Sequence, residues 1–159
     1  MLRALFPALL LLAAAPATAA PESLGVFSLW GAFRDGGRCY AIAEPAQVSR
    51  DADQRPFAAV GYWPARGRAG QVHFRLSREK RPGSAVLLRI DGRSFQLLAG
   101  PRDAWAPDPR ADAEIQAAMR MGLDMTVETR STRGALVRDQ YGLRGAATAI
   151  DAAAVACAR

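Results

Sequence analysis

The sequence predicts a mainly β (α+β) fold: an antiparallel β-sandwich-like domain with one inserted helix and one C-terminal helix. Short segments of alternating apolar and polar residues recur between residues 25 and 99, separated by glycine-rich turn signals. Helical spacing of apolar residues is found only after Asp108 and again after Gly145. The sequence has no βαβ alternation and no internal repeat, so we expect about eight short strands, in a sandwich or in one strongly curved sheet.

The first nineteen residues have the pattern of a secretory signal. Arg3 gives a short positive head, an apolar run of Leu, Ala and Phe follows, and Ala17 and Ala19 fill the small positions before a cleavage site. The alternative is a membrane anchor, but the run is shorter than the ~20 residues that span a bilayer. We therefore predict a cleavable signal peptide over 1–19 and a single periplasmic or secreted domain over 20–159.

The first half of the domain has the pattern of paired strands. Asp35-Gly36-Gly37 is a turn signal between two alternating segments, and Pro64 ends a third. The predicted strands are 25–34, 38–43, 57–63 and 71–77; the predicted connections are a polar loop over 47–55, a mobile basic loop over 65–70 and a charged turn over 78–83.

The second half contains the strongest local signals. Asp91-Gly92 predicts a hairpin turn, and Asp108-Pro109 predicts a helix N-cap followed by proline at the first helical position. Gly122 is expected to cap the end of that helix. The predicted strands are 85–90, 93–99, 125–129 and 136–143, and a terminal helix from Gly145 carries Ala146, Ile150, Ala153 and Cys157 on one face.

Cys39 and Cys157 are the only cysteines, one near each end of the domain. In an oxidising compartment an isolated pair is most simply a disulfide, which would tie the last helix to the first strands. The alternative is two free buried thiols. Two cysteines and the lone His73 are too few for a metal site, so we expect neither a metal nor a cofactor.

The chain is basic, with a formal charge of +6 that falls to +5 when Arg3 is removed with the signal. A basic exported domain favours anionic lipid, anionic glycan or a protein partner, whereas export argues against nucleic acid. We identify one candidate anion- or partner-binding set; the alternative is a solvated surface that keeps the protein soluble. Its members are Arg66, Arg68, Arg75, Arg78, Lys80 and Arg81.

No pattern of catalytic residues emerges from the sequence. A Gly-x-Ser-x-Gly elbow is missing, and His73 is interpreted as a solvent-facing histidine on an alternating strand. The carboxylates near the inserted helix are expected to cap and solvate it, because negative charge is favourable in a first helical turn. They are Asp103, Asp108, Asp112 and Glu114. The alternative is a hydrolase that uses two of these carboxylates.

Trp105 and its neighbour Asp103 form a candidate ligand-facing pair. The alternative for Trp105 is that the ring covers one end of the sandwich, since large aromatic rings dominate core packing. Trp30 and Trp63 lie on predicted strands and are expected in the core.

Four segments together resemble the invasion-associated locus B family of alphaproteobacterial envelope proteins. They are 38–45 (RCYAIAEP), 90–95 (IDGRSF), 103–108 (DAWAPD) and the ending 141–157 that begins YGLRG. The resemblance covers nearly the whole domain, and the chain departs from the family at Gly142 and Ala146, where Ser and a bulkier apolar residue are more usual. It implies an exported envelope protein, and it brings no catalytic residue, cofactor or substrate with it. We therefore expect a non-enzymatic binding module; the alternative is a small periplasmic hydrolase or enzyme inhibitor.

Overall fold

A computed structural model describes residues 20–48, 50 and 52–158 of the chain. The predicted signal peptide, residues 1–19, lies outside the described residues. No helix in the described part of the chain is long and apolar enough to cross a membrane.

Strands are the main secondary structure of the described residues, and two helices follow late in the chain. All neighbouring strands in the sheet run antiparallel. The elements are β1 (Glu22–Phe27), β2 (Trp30–Asp35), β3 (Arg38–Ala43), β4 (Phe57–Trp63), β5 (Arg68–Arg75), β6 (Val86–Ile90), β7 (Arg93–Ala99), β8 (Asp103–Trp105), α1 (Pro109–Met121), β9 (Asp124–Arg130), β10 (Leu136–Gly142) and α2 (Ala146–Cys157).

The predicted fold class is confirmed: the domain is mainly β, with one inserted and one C-terminal helix. Hydrogen bonds join ten described strands into one sheet in the order β1-β2-β3-β4-β5-β8-β7-β6-β9-β10. The sheet curves so strongly that distant strands face each other across the core. The ring of Phe74 on β5 lies 6.4 Å from the ring of Tyr141 on β10, which gives the sandwich-like form.

The strand prediction was wrong at two places. The segment 25–34 is not one strand but a tight hairpin, in which Phe27 pairs with Trp30 and Ser28 takes a positive φ of 58°. The alternation continues unbroken through this turn, and no Gly, Pro or Asn marks it. The three-residue strand β8 was also missed, because so short a segment has no readable period.

The basic loop predicted over 65–70 is shorter than expected. A single 3-10 turn, Pro64–Arg66, is closed by a hydrogen bond of 3.0 Å from the N–H of Gly67 to the carbonyl of Pro64. Gly67 has a φ of 61°, so the chain reverses there and β5 begins at Arg68.

Helix α1 begins where its N-cap predicts. The Asp108 carboxylate accepts the N–H of Ala111 at 2.8 Å, and Pro109 occupies the first helical position. The helix ends before Gly122, but that glycine is extended rather than left-handed. Gly122 caps the helix as predicted, since its N–H donates to the carbonyl of Ala118 at 2.9 Å. A Cβ there would lie 2.9 Å from atoms of Ile90 and Leu143, so close packing rather than a left-handed φ favours glycine.

The core lies between the curved sheet and the two helices. Helix α2 packs on β1–β4, and α1 packs on β5 and on α2. The fully buried side chains include Trp30, Phe74, Ile115, Tyr141 and Ile150, each of which contributes about 1.5–3 kcal/mol or more of burial free energy.

The predicted disulfide between Cys39 and Cys157 is confirmed. The two Cα atoms lie 5.7 Å apart, and the described residues contain no free cysteine. Cys39 is fully buried in β3, and Cys157 ends α2. The bond therefore ties the last helix to the inner face of the first strands.

Candidate functional site

The sheet has an inner face that packs on the helices and an outer face that does not. Cys39 and Ala41 of β3 are fully buried on the inner face. Because side chains alternate along a strand, Tyr40 and Ile42 point outward. The outer face carries six partly exposed rings, here called the aromatic face: Phe33, Tyr40, Phe57, Trp63, His73 and Trp105.

One end of the aromatic face is built around His73. Its imidazole lies parallel to the Trp105 ring, with centroids 5.3 Å apart and planes inclined by 4°, and the Phe57 ring meets it edge-on at 5.1 Å. These contacts follow from the register, in which His73 of β5 lies opposite Trp105 of β8. Aromatic pairs of this geometry contribute about 0.5–1.5 kcal/mol each beyond area burial.

Asp103 connects His73 and Arg75 at this end. One carboxylate oxygen, Oδ1, lies 2.9 Å from Nε2 of His73 and accepts a hydrogen bond of 3.0 Å from Nε of Arg75. The Arg75 guanidinium also lies over the Phe57 ring, 5.6 Å from its centroid. We call these five residues, Phe57, His73, Arg75, Asp103 and Trp105, the His73 cluster.

A histidine held by an aspartate is the arrangement of a general base, but the His73 cluster offers no nucleophile. Among the described residues His73 hydrogen-bonds only to Asp103, and its cross-strand neighbours are Ala59 and Trp105. Neither neighbour carries a hydroxyl or thiol for covalent catalysis. The described residues also contain no group of three His, Cys, Asp or Glu side chains that could hold a metal.

At the other end of the aromatic face, two rings pack over glycines of their own strands. A Cβ placed on Gly61 would come within 2.3 Å of the Trp63 ring, and one on Gly31 would come within 2.7 Å of the Phe33 ring. The two glycines therefore leave room for the rings to lie along the strands. Phe33 also stacks on Tyr40 at 5.7 Å, and the Arg38 guanidinium lies 5.0 Å from the centre of the Tyr40 ring.

A groove of about 460 Å³ opens beside Trp63, between the β2–β3 turn and the β4–β5 turn. Arg38 donates to Asp35 at 2.7 Å within the β2–β3 turn, and Arg66 contributes a second guanidinium from the β4–β5 turn. No ion pair to Arg66 is found among the described residues. We call Asp35, Arg38, Trp63 and Arg66 the Trp63 groove.

The six predicted basic residues do not form one patch. Arg66 and Arg68 lie at the β4–β5 turn, and Arg75 lies at the far end of β5 in the His73 cluster. The other three follow β5 in a loop that packs on the β9–β10 turn, where Lys80 bridges to Ser131 and the N–H of Arg81 donates to Arg130 at 2.8 Å. The predicted set thus divides between two ends of one hairpin.

The predicted pair Asp103 and Trp105 lies on the outer face, where Asp103 hydrogen-bonds to His73 and Trp105 stacks on it. Trp30 is in the core as expected, but the core placement of Trp63 was wrong, because the ring covers Gly61 from outside. The role of His73 was missed: its partner is thirty residues away in sequence, and no local signal joins them.

The carboxylates of α1 serve structure rather than a shared site. Asp108 caps the helix, and Glu114 pairs with Arg110. Asp112 accepts the N–H of Val72 at 2.7 Å and so fastens α1 to β5. Burial raises the pKa of Asp112, and the Val72 hydrogen bond partly opposes that shift.

A separate polar group lies in the core between β5 and β10. Asp139 is almost fully buried and accepts the N–H of Ser77 at 2.9 Å through Oδ2, while Oδ1 has no partner among the described residues. The hydroxyls of Ser77 and Tyr141 are likewise buried without a partner there. Burial raises the pKa of both Asp139 and Tyr141.

Comparison with known proteins gives no relative: no family model, no curated protein and no solved structure matches the chain. The resemblance to the invasion-associated locus B family therefore stays a prediction.

Proposed function

We propose that this chain is a non-enzymatic exported envelope protein that binds its partner through the aromatic face. The proposal places it in the periplasm or outside the cell, as a member of the invasion-associated locus B family. The signal-like start, the disulfide and the family resemblance support export. The aromatic face supports binding, and it is the observation that carries the proposal.

The six rings of the aromatic face are not needed to fill the hydrophobic core. The core is already filled on the opposite face by Trp30, Phe74 and Tyr141. Aromatic and arginine side chains are the residues that dominate binding energy at interfaces, and contiguous apolar surface marks contact sites. Five of the six rings are held by ring–ring contacts between strands, and Trp63 packs over Gly61, so binding need not order the rings first.

The His73–Asp103 hydrogen bond favours one second candidate, a small hydrolase that uses His73 to activate water. Two features of the His73 cluster weigh against it. Arg75 shares the same Asp103 oxygen, and the imidazole is clamped between two rings. This arrangement holds the imidazole as part of a surface rather than beside a reacting group.

The test uses the oxidised mature domain and three immobilised fractions of a bacterial envelope: polysaccharide, lipid vesicles and protein. We expect retention on one fraction that falls in both Trp63→Ala and Trp105→Ala. Val155→Ala is the matched control, because that side chain is 52% exposed on α2, away from the outer face. Retention that both tryptophan variants keep would contradict the proposal.

The hydrolase candidate is tested with the same protein on ester, peptide and glycan substrates. We expect no turnover above the background of a heat-denatured sample. Turnover that disappears in His73→Ala but persists in Val155→Ala would replace the binding function with hydrolysis.

A further inference from the structure

We propose that the Trp63 groove binds an acidic sugar ring of a glycan, with the rest of the saccharide lying along the aromatic face. The inference rests on the proposed function and names its ligand class. It is carried by the juxtaposition of a flat indole ring and two guanidinium groups in one open groove.

The first step concerns the shape of the surface. The Trp63 ring packs over Gly61 and stays partly exposed, so a planar indole surface is available beside the groove. A pyranose ring has an apolar C–H face that matches such a platform. Phe33 lies over Gly31 in the same manner on a neighbouring part of the face. Glycine in a strand often marks a place where another group approaches the backbone closely.

The second step concerns charge. Guanidinium groups suit carboxylate and phosphate groups because their N–H donors form a planar fork. Arg38 is held by Asp35 at 2.7 Å, so its orientation is fixed, whereas Arg66 has an exposed side chain at the groove. Arg38 and Arg66 outnumber Asp35, which leaves an excess positive charge beside Trp63. Asp35 can also accept hydroxyl hydrogen bonds, which a sugar supplies and a fatty acyl chain does not.

The third step concerns length. Phe57 and Trp63 end the same strand, and six residues of strand span about 20 Å. The face between them is continued by Ile42 opposite Ala59, and it ends at Arg75 beside the Phe57 ring. Both ends therefore combine an aromatic ring with a guanidinium, as a repeating acidic saccharide would need.

A lipid surface fits the aromatic face less well, because its rings are only partly exposed and lie along the sheet. The two most exposed apolar side chains among the described residues, Met121 at 81% and Leu123 at 78%, lie at the end of α1, whereas Val26 at 73% lies opposite Gly31 and Leu98 at 58% lies opposite Trp105. Leu123 is fixed at the end of α1 by a hydrogen bond from its N–H to Asp91, at the β6–β7 turn.

The experiment is calorimetric titration of the oxidised mature domain with oligogalacturonate, with its methyl ester and with sodium acetate. The ester keeps the rings and removes the charge, and acetate keeps the charge and removes the rings. We expect binding of oligogalacturonate that weakens as salt is raised, and at least about tenfold weaker binding of both other probes.

Variants assign that binding to the groove. Arg66→Gln and Trp63→Ala should each weaken oligogalacturonate binding about tenfold, the loss of one charge-assisted hydrogen bond or one stacking contact. Trp63→Phe should restore most of the affinity, which separates stacking from misfolding. Arg110→Gln is the matched control, because it removes the same charge from an 89% exposed side chain on α1.

The outcomes distinguish the two proposals. Equal binding of oligogalacturonate and its ester, or equal losses in Arg66→Gln and Arg110→Gln, would overturn the acidic-sugar assignment. Retention on the lipid or protein fraction alone, still lost in Trp63→Ala, would overturn it too while leaving the proposed function standing. Retention that ignores Trp63 and Trp105 would overturn both.

Discussion

The disulfide offers the largest single perturbation of stability that the structure allows us to calculate. Cys39 and Cys157 are separated by 118 positions in sequence, so the bond closes nearly the whole domain into one loop. The chain-entropy expression gives a stabilisation of about 5 kcal/mol for a loop of this length. A small domain has a net free energy of unfolding of about 5–15 kcal/mol, so the bond supplies a large share of it.

The perturbation is the double variant Cys39→Ala with Cys157→Ala, and the assay is urea unfolding followed by tryptophan fluorescence. Alanine is chosen because Cys39 is fully buried and serine would bury a hydroxyl without a partner. With a slope of about 2 kcal/mol per molar urea, a loss of about 5 kcal/mol lowers the unfolding midpoint by about 2.5 M. Reduced wild-type protein is the control, since it keeps both sulfur atoms and lacks only the bond.

A loss below about 1 kcal/mol in both samples would refute the reasoning, because it would mean that the denatured chain is already as restricted without the bond. A loss confined to the double variant would assign the effect to the missing sulfur atoms in the core instead. Amide exchange adds a local measurement. We expect α2 to lose protection before β5 does, because the bond joins the end of α2 to β3.

Three further predictions concern single side chains. Gly145→Ala should cost about 3 kcal/mol or more in urea unfolding, because its Cβ would overlap the Phe27 carbonyl oxygen. Gly134→Ala has a similar φ, but its Cβ would meet only the end of the Arg81 side chain, at 3.9 Å, so it should cost only about 1–2 kcal/mol. Asp139→Asn should be more stable than wild type at pH 7, and the difference should shrink as pH falls through the raised folded-state pKa, since protonation then relieves the buried charge. Glu128→Gln should be less stable than wild type at pH 7, because hydrogen bonds from Arg138 and Arg89 stabilise the Glu128 carboxylate and lower its pKa. This difference in stability should be complete above the ordinary pKa of Glu and should vanish as pH falls through the lowered folded-state pKa.

Each of these has an outcome that would contradict it. Equal costs at Gly145 and Gly134 would show that the backbone moves away from the Cβ without strain. A stability difference for Asp139→Asn that is constant from pH 7 to pH 4 would mean that folding does not raise the pKa of Asp139. A Glu128→Gln effect insensitive to added salt would argue against ion pairing, because the pair lies at the surface.

Local features were readable from the sequence wherever the chemistry is local. Asp91-Gly92 forms the hairpin turn, and Asp108 caps α1 through the N–H of Ala111, as predicted. The Ser28–Leu29 turn escaped prediction because it is stabilised from a distance: the N–H of Leu29 donates to Arg144, far along the chain, at 3.3 Å. The same reason hides the His73 cluster, whose members come from three strands.

The sequence by itself determined the class of the fold, the cysteine pair and the two faces of each strand, because turn chemistry and period-two alternation act between near neighbours. Only the tertiary structure decided which face carries the helices and that β5 pairs with β8 rather than with β6. The choice of face depends on where α2 can bury its apolar side and reach Cys39. As a result Trp30 lies in the core, whereas Trp63 and His73 lie on the outer face. There Gly61 leaves room for the Trp63 ring, and Asp103 hydrogen-bonds to His73.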